Sequence, residues 1–130
     1  ALDAALDKWL ADQDVFNRHS KIASAVRTAV EKSELNLFAE NGYSDTVTAI
    51  EIPGGINYQE LNQLMTESHD VMIAGSLGEY EDELIRIGHM GENCYEEKLY
   101  RTLKAFDHSL RELGFDPGRE LHKTFVEAMN

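Results

Sequence analysis

Apolar residues recur at helical spacing through most of the first 34 positions: Leu2, Leu6, Trp9 and Leu10, then Ile22, Ala23, Val26, Ala29 and Val30. Val15 and Phe16 stand between the two runs, where a bend is expected. No glycine or proline precedes Gly42, so nothing in the sequence breaks the helix strongly. So long an amphipathic opening in a small domain is expected to pack in part against a neighbouring domain or subunit. The period then changes. Leu35 to Phe38 is expected as a short edge strand, ENGYSD supplies Asn-Gly turn chemistry, and the alternating, β-branched TVTAIEI (Thr46 to Ile52) is the strongest strand signal in the chain, closed by Pro53, Gly54 and Gly55.

Asn57 with Glu60 three residues later forms a capping-box pattern for a helix carrying Leu61, Leu64 and Met65. VMIAG (71–75) and Leu84 to Gly88 are expected as two further strands, separated by the acidic loop Gly78 to Glu83. Asn93 and Glu96 repeat the capping pattern before a long amphipathic helix with Leu99, Leu103, Phe106, Leu110 and Leu113, which Gly114 would end. Asp116 as N-cap and Pro117 at the first helical position predict a last helix through Leu121, Phe125 and Val126. This order predicts an α+β domain, a small sheet covered on one face by helices, with residues 1–34 as a helical lead-in and 35–130 as the small domain proper.

Within ELIRIGHMG (83–91), period-two alternation puts Leu84, Arg86 and Gly88 on one face and Ile85, Ile87 and His89 on the other. If helices cover the isoleucine face, Arg86 points outward. It is then either a solvated arginine on an open sheet or a clamp for an anion, since a guanidinium is costly to bury without an anionic partner. Gly88 and Gly91 leave room for a ligand to approach.

Composition narrows the functions available. The 130 residues hold 24 acidic and 12 basic side chains, a formal charge of -12, which disfavours nucleic acid and anionic membranes as partners. No apolar run approaches the ~20 residues of a membrane span, and a cytoplasmic setting is expected. The single cysteine, Cys94, offers no internal disulfide or thiolate cluster. A helix terminus would depress its pKa, but no partner base is identifiable, so a structural thiol is expected. The five histidines show no HExxH spacing, no serine lies in a GxSxG elbow, and IPGGI and AGSLGE match no phosphate-binding fingerprint. No metal site and no complete catalytic constellation follow from the residues.

The ordered set TVTAIEIPGGINYQEL and VMIAGSLGEYEDELIRIGHMG resembles the C-terminal small domain of class V aminotransferases of pyridoxal phosphate fold type I, in the alanine or serine:glyoxylate (serine:pyruvate) group. ALDAALDKWL with FNRHSKIASAVRTAV is similar to that family's long helix leading out of its large domain. The resemblance implies that Arg86 binds the α-carboxylate of the substrate and that Ala74, Gly75 and Ser76 lie near the active-site mouth. Many members have a second glycine where Ser76 stands, and a basic residue and a glycine where Glu81 and Asp82 stand. It further implies that the Schiff-base lysine and the groups holding pyridoxal 5'-phosphate belong to the large domain, so that this segment contains no catalytic residue and is inactive alone. The implied parent is a homodimer that moves an amino group from alanine or serine to glyoxylate or pyruvate. A fold-type I lyase or desulfurase, and a non-catalytic domain binding a small acid or a protein, are the alternatives.

Overall fold

In the computed structural model, which describes residues 1–130, the alternation of the central strand sets the layering. The elements are α1 (Leu2–Ala11), α2 (Val15–Glu31), β1 (Val47–Glu51), α3 (Tyr58–His69), β2 (Ala74–Gly75), β3 (Leu84–Gly88), α4 (Glu96–Glu112) and α5 (Leu121–Met129). The sheet is antiparallel in the order β1-β3-β2. Ile50, Ile85 and Ile87 point inward and are fully buried with Val26, Leu61, Leu103, Phe106 and Phe125 from the helices. In the helical layer α4 lies between α3 and α5, and α5 between α4 and α2. The α+β arrangement follows the sequence pattern.

Several boundaries differ from expectation for local reasons. The helical opening breaks at Asp12–Asp14 instead of bending at Val15 and Phe16. The Asp12 carboxylate accepts the Asp14 amide at 3.1 Å and both terminal nitrogens of Arg18 at 3.2 and 2.5 Å, which competes with helix continuation. Arg18 also donates to the Cys94 carbonyl at 3.1 Å and lies over the Tyr95 ring, so the start of α2 is tied to the start of α4. Leu35 to Phe38 forms a single bridge, Leu37 to Ile50, along the free edge of β1. The expected strand 71–75 shrinks to Ala74–Gly75 because α3 holds the rest: Val71 donates to the Met65 carbonyl, Ile73 to Asn62 Oδ1, and the Tyr58 hydroxyl to the Ile73 carbonyl.

The helix caps divide similarly. Asn57 Oδ1 accepts the Glu60 amide as the sequence predicts, and Gly114, at φ 95°, closes α4 with a Schellman pair of bonds, Phe115 to Leu110 and Gly114 to Arg111. Asn93 is not the N-cap of α4. It ends a 3-10 turn at Gly91–Asn93, and Tyr95 precedes the helix without a side-chain cap. Nor does Asp116 cap α5, which begins only at Leu121; its carboxylate instead accepts from Gly118 and Arg111. The cap of α5 comes from α4. Buried Asp107 accepts the Leu121 amide on one oxygen and Arg111 Nε on the other, at 3.3 and 3.0 Å. Cys94 is fully buried, and burial pushes its thiol above the ordinary range, the reverse of activation by a helix terminus.

His89 shares the buried face with Ile85 and Ile87. Its Nδ1 donates to the Asp45 carbonyl at 3.1 Å, which leaves Nε2 to accept from the Thr48 hydroxyl at 2.8 Å. Both nitrogens are satisfied in the neutral tautomer. Burial depresses its pKa, only partly opposed by the Asp45 carbonyl, and His122 is depressed for the same main reason. A histidine depressed on folding stays neutral while the unfolded chain takes up its proton. Its contribution is therefore complete above the unfolded value, near 6.5, and declines as pH falls from there toward the folded value. In an NMR titration the His89 ring is expected to show its midpoint below 6.5; a midpoint at or above that value would contradict the buried neutral assignment.

Candidate functional site

On the outer face of the sheet, the register places Ala49 of β1 and Ala74 of β2 directly opposite Arg86 on either side. Two methyl groups thus flank one long cationic side chain across the strands. Arg86 Nε donates to the Gly75 carbonyl at 2.8 Å. That bond orients the guanidinium plane and leaves both terminal nitrogens without a protein partner. A planar pair of free N–H donors matches a carboxylate in two-point geometry.

Gly75 makes this arrangement feasible. Its inner side faces Tyr58, and a Cβ there would lie 2.7 Å from the ring Cζ, too close for any real side chain. The absent side chain lets Tyr58 pack beneath β2 and bond the Ile73 carbonyl at 3.2 Å, while the Gly75 carbonyl faces Arg86. Ala74 and Gly75 are thus brought against Arg86, and Ser76 follows half-buried. Tyr58 and Ala49 are positioning neighbours that the sequence reading did not single out; only their register and packing reveal them. In the loop between β2 and β3, Asp82 adopts φ 62°, a left-handed conformation natural for glycine, and its carboxylate is held by Gln59 Nε2 at 2.8 Å.

Beside Arg86 lies a cleft of about 380 Å³, bordered also by Asp70, Gly88, Lys98 and Arg101. Arg101 is engaged there by the Asp70 carboxylate and by the carbonyls of His69 and Asp70. No three His, Cys, Asp or Glu side chains gather in metal-binding geometry. All six lysines are exposed, and none is set in an enclosed pocket that would hold an aldehyde cofactor. The donors of this chain do not fit a pyridoxal phosphate cradle. They fit a carboxylate.

Comparison with known proteins agrees with the motif set. No family model matches the chain. An uncharacterized aminotransferase of Methanocaldococcus jannaschii is 34% identical over 119 residues, covering 89% of this chain and 31% of the relative. The L-aspartate--glyoxylate aminotransferase of Paracoccus denitrificans is 37% identical over 94 residues, 69% of this chain and 24% of the relative. The crystal structure of pyridoxamine-pyruvate aminotransferase from Mesorhizobium loti superposes with a TM-score of 0.90 at 28% identity, over 98% of this chain and 34% of that one. The chain belongs to the class V aminotransferases. It spans about a third or less of the length of these relatives. Within this aminotransferase family, the α+β fold described above is that of the C-terminal domain.

Gly75→Ala tests the geometry of this aminotransferase domain directly. The added methyl must displace the Tyr58 ring or β2, so unfolding free energy is expected to fall by about 1–3 kcal/mol in urea denaturation. Gly75→Ala combined with Tyr58→Leu should recover part of that loss. An unchanged midpoint in the single variant would mean that the close approach of Tyr58 does not constrain β2.

Proposed function

We propose that Arg86 holds the carboxylate of a small amino acid or 2-oxo acid, and that the enzyme carrying this chain transfers an amino group between them. The observation that carries the proposal is the Arg86 guanidinium itself, anchored by the Gly75 carbonyl, flanked by Ala49 and Ala74, and free at both terminal nitrogens. Two relatives are named for glyoxylate or pyruvate as the oxo acid, which supports a small 2-oxo acid here. Alanine or serine as donor rests on the resemblance of the motif set. Pyridoxal 5'-phosphate supplies the electron sink for transamination when bound. In this proposal it is held by the part of the family's length that this chain does not span, while Arg86, with Ala74, Gly75 and Ser76 at the mouth, aligns the substrate from the C-terminal side.

The same proposal assigns the lead-in, residues 1–34, its role. Helix α1 buries no residue of its own, and Leu2, Leu6, Trp9, Leu10 and Phe16 are between 44% and 77% exposed. An apolar row of that size needs a cover. The large domain of the same polypeptide is the proposed one, given that the relatives are about three times as long. Helix α2, by contrast, contributes Ile22, Val26, Ala29 and Val30 to the core. The cytoplasmic setting and the homodimer belong to this reading as well. In the structure, no helix is long and apolar enough to cross a membrane.

Arg86→Ala in the intact enzyme is expected to lower kcat/KM about a hundredfold or more, the scale of removing one partner of a desolvated charge pair. Arg86→Lys should restore only part of it, because the charge returns without the two-point geometry. Cofactor absorbance should be unchanged in both. In the isolated chain the alanine variant should cost less than about 1 kcal/mol, since the lost bond is at the surface. Unaltered kcat/KM would remove Arg86 from the site.

A further inference from the structure

Strand β2 lies at the edge of the sheet and pairs with β3 through Ala74 and Gly75 alone. So short a pairing leaves the backbone groups of its buried neighbour Ile73 to be satisfied elsewhere. Helix α3 satisfies them. The Ile73 carbonyl accepts from the Tyr58 hydroxyl at 3.2 Å, and its amide donates to Asn62 Oδ1 at 3.4 Å. Tyr58 and Asn62 stand one turn apart on α3, so two helix side chains take the place that a further strand would fill. On the other side of Ala74, the Tyr58 ring lies so close under Gly75 that a Cβ there would be 2.7 Å from its Cζ. Tyr58 therefore holds β2 both before and after Ala74, the residue paired with Arg86.

The held segment ends at the Gly75 carbonyl, which accepts Arg86 Nε at 2.8 Å. The Nε–H bond lies in the guanidinium plane, so its acceptor fixes that plane and with it the direction of the two terminal nitrogens. A two-point contact with a carboxylate depends on that direction, because a turn of the plane keeps the charge and misaligns the pair of bonds. We propose that Tyr58 and Asn62 are positioning residues for carboxylate binding: by fixing the backbone of residues 73–75 they aim the Arg86 fork. This rests on the reading of Arg86 given above and adds to it a control seated in α3. Neither side chain borders the cleft beside Arg86, so both act through the Gly75 carbonyl and not on the substrate.

The test is a double-mutant cycle in the full-length enzyme, reading kcat, KM for the oxo acid that turns over (glyoxylate or pyruvate) and inhibition by propionate. Tyr58→Phe keeps the ring under Gly75 and removes the hydroxyl; Asn62→Leu removes the acceptor of the Ile73 amide. Each is expected to raise KM and the propionate inhibition constant about three- to tenfold while kcat stays within about twofold, the signature of binding lost equally from ground and transition states. Gln63→Leu, which breaks only an exposed bond to Glu67 within α3, should change neither constant. In an Arg86→Ala background, Tyr58→Phe and Asn62→Leu should add less than about a twofold effect, since the group they aim is gone. Unchanged constants in both single variants, or the same factor with and without Arg86, would overturn the inference. Arg86→Ala by itself separates the two readings: if it leaves KM and propionate inhibition in place, the carboxylate role fails, whereas a large Arg86→Ala effect beside silent Tyr58 and Asn62 variants sinks only the positioning role.

Discussion

The central strand must satisfy two solvents at once. In β3 the side-chain period of two sends Ile85 and Ile87 into the core and Arg86 to the outer face, and a slip of one residue would bury the guanidinium and expose both isoleucines. Burying an unmatched guanidinium is far more costly than the slip of any single ladder bond. The register of β1 and β2 against β3 therefore follows from the charge on Arg86 as much as from the isoleucines. Every neighbour of the site inherits that register, including the two alanines on either side.

Packing from the inner side completes the arrangement. Tyr58 fills the space under Gly75, and α3 keeps residues 71–73 out of the sheet, so β2 is short, its Gly75 carbonyl meets Arg86, and a cleft opens at its end. The helices are held to one another by charged clamps at their ends. Asp12 with Arg18 fastens the start of α2 to the start of α4, and buried Asp107 with Arg111 fastens α4 to the start of α5. Asp107 is fully engaged, which is the condition under which a buried carboxylate is tolerated.

Arg86 is exposed on the outer face of the sheet, burial holds the pKa values of His89 and His122 low, and the only thiol is buried with a raised pKa. Fold alone does not assign chemistry. Arg86 and its immediate supports carry the proposed function, within a family whose chains extend well beyond this one.

The amino-acid sequence by itself determined the strand and helix order, the inward and outward faces of β3, the Asn57 and Gly114 caps, and, through the ordered motif set, the family and the position of Arg86. These are local properties, carried by hydrophobic period and by turn and cap chemistry over a few residues. Only the tertiary structure decided which carbonyl orients the guanidinium, what a side chain at position 75 would meet, where β2 stops, and that Lys98 borders the cleft with Arg86. Each depends on residues far apart in the chain. The two caps that the pattern misplaced, Asn93 and Asp116, show the same division: α4 begins after a turn docked on His19 through the Gly91 amide, and α5 begins where Asp107 of another helix can receive its first amide. A local pattern contains the chemistry of a cap, but not the partner that outcompetes it.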